Sequence, residues 1–155
     1  MVAPYLLTSS TVVPVPPEVA FDAVLAAPLP ELFTERSGPI PPVRECRGQE
    51  GPWGTVGQTR TVVLDDGGTN LETLVALDRP ASYRYRLGDF TGAMKPLVAS
   101  VDGEFAFGAE GAGTRVTWSW RMHATNPLAR LFLPGLGFFW RRYAAGMWQR
   151  YAARL

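Results

Sequence analysis

The segment that most constrains the fold is the C-terminal stretch 126–155, which predicts a long helix or two helices in line. Asn126 can cap the start of this helix, and Pro127 suits its first position, where no backbone donor is needed. Pro134 and Gly135 predict a kink or break. Beyond the break, large apolar residues recur every three or four positions and share one wide face: Phe139, Trp140, Tyr143, Ala144, Met147, Trp148, Tyr151 and Leu155. A face this wide requires a large concave partner.

The residues before this helix predict mainly β-strands, because apolar and polar side chains alternate along them. The predicted strands cover 5–15, 43–49, 55–64, 69–77, 82–87, 98–107 and 114–124. Two short helices, at 19–25 and 29–35, are predicted after the first strand. This order predicts an α+β helix-grip fold, in which a curved antiparallel sheet of about six or seven strands wraps around the long C-terminal helix.

Length and charge narrow the class of protein. A chain of 155 residues predicts a single domain spanning 1–155. The net charge of +1 argues against nucleic acid as a partner, since phosphate binding requires a concentrated basic surface. Cys46 is the only cysteine, so the chain cannot form an internal disulfide, and a reducing compartment is expected. The sequence predicts neither a signal peptide nor a transmembrane segment, hence a cytoplasmic protein, and leaves open monomer or homodimer.

Several local motifs, taken in their order, resemble those of a known superfamily. They are the segments Val13-Pro14-Val15-Pro16-Pro17-Glu18-Val19-Ala20-Phe21, Gly54-Thr55-Val56-Gly57-Gln58-Thr59-Arg60, Asp66-Gly67-Gly68, and Glu72 with Asp78-Arg79-Pro80 before Tyr83-Arg84-Tyr85. Nearly the whole chain resembles the START-like, or Bet v 1-like, helix-grip superfamily. Within it, the chain is most similar to the polyketide cyclase/dehydrase and lipid-transport group found widely in bacteria. The resemblance implies a deep cavity between sheet and helix that holds a hydrophobic ligand. It does not imply catalysis, because fold does not fix function.

Three classes of function follow from these observations. The first is binding or carriage of a hydrophobic small molecule, such as a lipid, isoprenoid, polyketide or aromatic metabolite. The alternative is a cyclase or dehydratase that acts on a polyketide-like substrate in the same cavity, with a few polar groups moving protons. The third is a protein interaction module, which a contiguous apolar patch on the outer surface would favour.

The candidate ligand-binding residues are the bulky aromatics of the strands and helix, together with one pair of opposite charges. They are Trp53, Arg60, Glu72, Tyr83, Tyr85, Phe105, Phe107, Trp118, Trp120, Phe139, Tyr143 and Met147. Core packing is the alternative role for the aromatics, although so many rings fill space poorly unless a cavity remains. Arg60 and Glu72 face each other across a predicted hairpin. They form either a plain cross-strand ion pair or a polar anchor within an apolar pocket.

The sequence assigns no catalytic residue, metal or cofactor. One histidine and one cysteine cannot build the usual metal shells. His123, the obvious candidate general base, alternates with the polar set of the last strand, which favours a surface or strand-end position over a catalytic role in the cavity. Segment 132–138 and the loop near Trp53 are predicted to form a gate, the alternative being that Pro134 only bends the chain. The arginines of the helix form either a solvated face or a contact with anionic head groups or a partner.

Overall fold

The structure is a computed structural model, described for residues 3–155. Its elements in chain order are β1 (Tyr5–Val13), α1 (Pro17–Ala26), α2 (Leu29–Leu32), β2 (Val43–Arg47), β3 (Thr59–Leu64), β4 (Thr69–Asp78), β5 (Ser82–Gly88), a 3₁₀ turn (Gly92–Met94), β6 (Val98–Glu110), β7 (Gly113–Ala124), α3 (Pro127–Arg130) and α4 (Leu133–Ala152). The strands form one antiparallel sheet of seven in the order β1-β7-β6-β5-β4-β3-β2.

The sheet curves around α4, which confirms the predicted helix-grip fold. Register shifts interrupt three strand pairs, β2–β3, β4–β5 and β6–β7. Such irregularities bend a strand and increase its twist, so they help the sheet to curl. The buried face of α4 consists of Leu133, Leu136, Gly137, Trp140, Tyr143, Ala144, Met147, Trp148 and Tyr151. The predicted α4 face is therefore correct, except that Phe139 is half-buried and Leu155 is 37% exposed beyond the helix end.

Polar tips of the large α4 side chains fix the helix in position. The Trp148 indole donates a hydrogen bond to Ser9 Oγ on β1 (2.8 Å), and the Tyr151 hydroxyl donates to the Ala20 carbonyl on α1 (2.8 Å). The Tyr143 hydroxyl donates to the Pro41 carbonyl (3.0 Å). These bonds satisfy polar groups that α4 would otherwise bury without partners.

The predicted break in the C-terminal helix is displaced in the structure. Asn126 caps α3 as expected, with its side chain accepting a bond from the Ala129 amide (2.8 Å). A turn at 131–132 interrupts the α-helical hydrogen-bond pattern, and Pro134 lies in the first turn of α4. A proline there costs no hydrogen bond, so Pro134 starts the second helix instead of breaking it.

Several other boundaries also differ from prediction, and two of them show why. Residues 55–58 form a turn before β3, because the Gln58 side chain accepts bonds from the amides of Gly54 (2.8 Å) and Thr55 (2.6 Å). This local side-chain capping competes with strand pairing. The β6–β7 hairpin extends further than expected, and its turn is tight, with Gly111 at a positive φ of 58°.

Candidate functional site

A cavity of about 100 Å³ lies between one end of the sheet and α4. Strands β2 to β5 and β7, the chain between α2 and β2, the segment between β5 and β6, and α4 all contribute walls. The lining residues are Leu29, Phe33, Ile40, Pro41, Val43, Val62, Leu64, Asn70, Glu72, Tyr85, Leu87, Phe90, Met94, Trp118, Trp120, Leu136 and Tyr143. Most of this wall is apolar, which is the usual composition of a small-molecule pocket.

Three buried polar side chains project from β4 and β5 into this apolar surround: Asn70, Glu72 and Tyr85. Asn70 and Glu72 are two residues apart on β4, so both face inward. The Asn70 Oδ1 atom is buried and has no hydrogen-bond partner within residues 3–155. Since an unpaired buried acceptor costs free energy, Asn70 Oδ1 is an acceptor on the cavity wall with capacity left for a ligand.

Glu72, the neighbour of Asn70 on the same face of β4, forms a buried ion pair with Arg60. The two residues are opposite each other on β3 and β4, and Arg60 Nε donates to Glu72 Oε1 at 2.9 Å. Both are buried, with exposed fractions of 6% and 5%. Arg60 also donates from Nη1 to Gln49 Oε1 (3.1 Å), and its guanidinium lies 4.0 Å from the ring centre of Trp53. Burial raises the pKa of Glu72 above its ordinary value, although the charge and hydrogen bond of Arg60 oppose that shift.

Arg60 and Trp53 do not line the main cavity. They line a second, outer pocket together with Cys46, Gln49 and residues of the turn between α1 and α2. Of the two residues, Glu72 lines the main cavity, whereas Arg60 lines the outer pocket and contacts Glu72 from the neighbouring strand. The predicted gate between Trp53 and 132–138 remains a prediction, and only Leu136 of that segment lines the cavity.

The Tyr85 ring occupies space that a glycine on the neighbouring strand leaves free. It pairs with Gly103 of β6, and a Cβ atom at Gly103 would lie 2.1 Å from the Tyr85 ring. The ring can therefore lie across β6 and reach β7. There its hydroxyl accepts hydrogen bonds from the indole N–H groups of Trp118 (2.7 Å) and Trp120 (2.8 Å). Burial raises the pKa of Tyr85, so the hydroxyl stays protonated and can still donate one hydrogen bond.

The other predicted aromatics fill the opposite half of the interior. Phe105 stacks between Tyr83 (5.3 Å between ring centres) and Trp118 (5.7 Å). Phe107 packs against Phe21 of α1 (5.2 Å). None of Tyr83, Phe105, Phe107 and the fully buried Met147 lines the cavity. Phe139 also lies outside the cavity. Its ring packs against Gly38, where an added Cβ atom would lie only 2.4 Å from the ring.

Five of the twelve candidate residues therefore surround the cavity: Glu72, Tyr85, Trp118, Trp120 and Tyr143. The contact of any of them with a ligand stays a prediction. Sequence reasoning missed Asn70, although strand alternation with Glu72 places it on the same face. It also missed Phe33, which stacks on Tyr143 (5.0 Å). Phe90 and Met94 lie in the irregular segment between β5 and β6, where no periodicity could reveal which residues point inward.

His123 lies on the outer face of the sheet, as the alternation predicts. Its Nε2 is 2.8 Å from Asp102 Oδ2, and Arg86 Nε donates to the other carboxylate oxygen (3.1 Å). Partial burial would raise the pKa of Asp102, but the hydrogen bonds from His123 and Arg86 outweigh it and lower the pKa. The cavity lining does not include His123. This histidine is an element of a surface charge network across β5, β6 and β7.

Residues 3–155 lack the features of a metal site and of a membrane-spanning helix. That part of the chain contains no group of three or more His, Cys, Asp and Glu side chains that could hold a metal ion. Across the same residues, no helix combines the length and apolar character needed to cross a membrane.

The sheet, the gripped helix and the apolar cavity between them define a Bet v 1-like, or START-like, protein. The chain belongs to the polyketide cyclase/dehydrase and lipid transport family, whose family description matches residues 6–155. This confirms the resemblance noted in the sequence. No curated protein sequence matches the chain significantly.

Solved structures share the fold over almost the full chain. A ginseng (Panax ginseng) major latex-like protein is 18% identical with a TM-score of 0.67, and the alignment covers 99% of both chains. A protein from Thermus thermophilus is 17% identical with a TM-score of 0.69, covering 97% of this chain and 96% of the other. A Mesorhizobium loti protein is 15% identical with a TM-score of 0.64, covering 94% and 96%. At these identities the similarity establishes the fold alone.

Proposed function

We propose that this protein binds and carries a small, mainly hydrophobic molecule that has one polar end. The observation that supports this proposal best is the unpaired Asn70 Oδ1 atom on an apolar cavity wall. A hydroxyl group of the molecule would donate a hydrogen bond to Asn70 Oδ1, and the Tyr85 hydroxyl can donate one to the oxygen of the molecule. The apolar remainder would pack against the aromatic wall formed by Phe33, Tyr143 and Trp118.

The size of the cavity limits what fits without rearrangement. A volume of about 100 Å³ is smaller than the roughly 300–1,000 Å³ of drug-sized pockets. A single-ring compound suits the present walls, whereas a lipid or polyketide requires them to move. Phe90 and Met94 are the walls best suited to move, because they lie on the irregular segment between β5 and β6. Methionine in particular adapts its shape easily.

Ligand-induced stabilisation tests the proposal with two probes of matched shape, p-cresol and p-xylene. A compound that binds only the folded state raises the unfolding midpoint. We expect p-cresol to bind about 5- to 10-fold more tightly than p-xylene, since one hydrogen bond contributes about 1 kcal/mol. Asn70→Leu should remove this preference while leaving p-xylene binding in place. Native mass spectrometry after mild purification would identify any molecule already carried.

A pair of matched variants controls for the location of binding. Val62→Phe adds a ring at the cavity wall and should abolish the midpoint shift with both probes. Val75→Phe makes the same change at an exposed position of β4 and should leave the shift intact. If neither probe shifts the wild-type midpoint, or if Val62→Phe still responds fully, the cavity is not a binding site and the proposal is wrong.

Glu72 supports a second candidate function, a cyclase or dehydratase. It places a carboxyl group of raised pKa on the cavity wall, where the carboxyl group could exchange a proton with a substrate. Arg60 and His123 do not join it in the cavity, so the catalytic set would be Glu72 and Tyr85. Incubation with short β-polyketone substrates tests this. Conversion that falls about 100-fold or more in Glu72→Gln supports catalysis, whereas binding without conversion leaves the carrier function.

A further inference from the structure

A cluster of large apolar side chains lies exposed where α3 meets α4. Its members, which we call the apolar corner, are Leu128 (68% exposed), Leu131 (73%), Phe132 (60%) and Phe138 (56%). They account for four of the eleven exposed large hydrophobic residues within 3–155. Scattered apolar residues on a surface require no explanation, but four exposed ones within eleven positions of one helix junction indicate a candidate interaction site.

The backbone beneath the apolar corner is held firmly. Hydrogen bonds from the Leu131 amide to the Leu128 carbonyl (3.1 Å) and from the Phe132 amide to the Ala129 carbonyl (3.0 Å) continue helical geometry through the junction. Residues 128, 131 and 132 therefore share one side. The buried Ala129 and Leu133 anchor the same segment to the core. The exposure of these side chains is thus a property of the fold and does not arise from a loose chain end.

The charged residues of the segment that carries the apolar corner all have the same sign. Segment 126–155 contains five arginines and no aspartate or glutamate. The Arg142 guanidinium lies 5.9 Å from the ring centre of Phe138. Arg141 and Arg142 are exposed and form no ion pair within the described part of the chain, whereas Arg154 is paired with Glu31. The corner thus combines exposed apolar groups with unneutralised positive charge.

A polar pocket of about 180 Å³ lies beside the apolar corner. Arg142, which lies over the Phe138 ring, is one of its lining residues. Its walls include three arginines, Arg36, Arg142 and Arg150, together with Glu35 and the polar Ser37. Arg150 also donates a hydrogen bond to the Leu32 carbonyl, which fixes its position. Three guanidinium groups against one carboxylate leave this pocket with an excess of positive charge, which suits a phosphate group.

We propose that the apolar corner docks on an anionic lipid bilayer, with the arginine pocket at the level of the phosphate head groups. Exposed Leu and Phe side chains beside basic residues are the arrangement by which helices bind in the membrane interface without crossing it. Arginine adds attraction to the negative surface of such a bilayer. A soluble acidic protein would suit the charges but would not require four exposed apolar side chains. This inference goes beyond ligand binding in the cavity and does not depend on it.

Co-sedimentation with lipid vesicles tests the proposal on the full chain. We expect binding to vesicles of phosphatidylcholine with about 30% phosphatidylserine and much weaker binding to phosphatidylcholine alone. Leu131→Ser with Phe132→Ser and Phe138→Ser should weaken binding at least about tenfold, because each buried apolar group contributes to interfacial affinity. Arg141→Gln with Arg142→Gln should weaken it about 20-fold and reduce its dependence on salt.

Matched controls place the same changes elsewhere. Val12→Ser with Val75→Ser removes exposed apolar groups from β1 and β4, and Arg84→Gln with Arg121→Gln removes two exposed charges from the outer sheet face. Both control variants should bind vesicles like the wild type. Equal losses in the control and corner variants would overturn the proposal, as would a wild type that ignores anionic vesicles. A wild-type dimer that the corner serines convert to a monomer, without vesicle binding, would assign the corner to self-association instead.

Discussion

At the scale of single residues, the buried Arg60–Glu72 ion pair is expected to contribute little net stability to the fold. Removing two charges from water costs several kcal/mol per ion, and the attraction between them only partly offsets that cost. The raised pKa of Glu72 also indicates a small net gain, because burial disfavours the ionised carboxylate more than Arg60 favours it. Gln49 and the Trp53 ring provide Arg60 with further partners. The pair therefore fixes the position of the groups at the cavity wall more than it stabilises the fold.

We predict that Glu72→Leu lowers the free energy of unfolding by about 3–5 kcal/mol, since it leaves Arg60 buried and unpaired. Arg60→Met combined with Glu72→Leu should restore most of this loss, because apolar side chains of similar size avoid both desolvation costs. Urea unfolding of the wild type, both single variants and the double variant gives the coupling between the two positions. A double variant as unstable as Glu72→Leu would contradict this account.

The pH dependence of Glu72→Gln gives the sign of the Glu72 contribution. A carboxyl group whose pKa is raised in the folded state stabilises the protein fully below its unfolded pKa of about 4.3, and that stabilisation is lost as pH rises through the folded pKa. We therefore expect the wild type to lose stability relative to Glu72→Gln as the pH rises above about 4. Unfolding curves at several pH values measure this difference. A relative gain by the wild type would mean that attraction to Arg60 dominates over burial.

The sequence located this pair but not its neighbour. The Asp66-Gly67 hairpin set the register of β3 and β4, and hence placed Arg60 opposite Glu72. The same alternation puts Asn70 on the cavity wall. However, nothing in a single sequence shows that the Asn70 amide lacks a partner, because that depends on which side chains from distant elements come near it. Cavity residues on the irregular segment between β5 and β6 were hidden for the same reason.

At the scale of elements, two glycines near the start of α4 differ in what surrounds them. Gly135 is exposed, and a Cβ atom there would meet nothing within 4 Å. Gly137 is buried, and a Cβ atom there would lie 2.8 Å from Leu7 Cδ2 on β1. Leu7 itself is almost fully buried, so it has little room to move away. Gly137 therefore permits the close approach of α4 to the edge strand, whereas Gly135 has no such role.

We predict opposite effects of alanine at these two positions. Gly135→Ala should raise the free energy of unfolding by up to about 1 kcal/mol, because alanine has the higher helix propensity. Gly137→Ala gains the same propensity but forces α4 away from β1, and should lower stability by about 1–3 kcal/mol overall. Thermal or urea unfolding measures both. If Gly137→Ala were as stable as Gly135→Ala, the contact with Leu7 would not limit the packing of α4.

Element boundaries were harder to predict than element types because turn chemistry acts locally. In sequence Pro134 predicts a helix break, yet at the first turn it is a helix starter. The order of strands and helices required only periodicity, and that order was correct. Strand propensity did not predict the start of β3, because the Gln58 side chain accepts hydrogen bonds from backbone amides of the preceding turn.

At the scale of the whole molecule, the interior divides into a packed half and a hollow half. Phe105 lies in the packed half and contacts the aromatic rings of Tyr83, Tyr85, Trp118 and Trp148. Of these, Tyr85 and Trp118 also line the cavity and separate the two halves. Phe90 lies in the hollow half, where one side of its environment is the cavity. The sequence predicted abundant aromatic residues between sheet and helix. It could not predict this division, because the same residue types serve as core and as cavity wall.

We predict that this division determines the cost of removing a ring. Phe105→Ala should lower the free energy of unfolding by about 3–5 kcal/mol, the usual cost of a large-to-small change in a packed core. Phe90→Ala should cost distinctly less, since its ring already lacks neighbours on the cavity side and therefore loses fewer contacts. It should also enlarge the cavity, so that p-xylene stabilises Phe90→Ala more than it stabilises the wild type. Urea unfolding with and without p-xylene measures both effects. Equal costs for the two variants, or a weaker response of Phe90→Ala to p-xylene, would show that the hollow half collapses when a wall is removed.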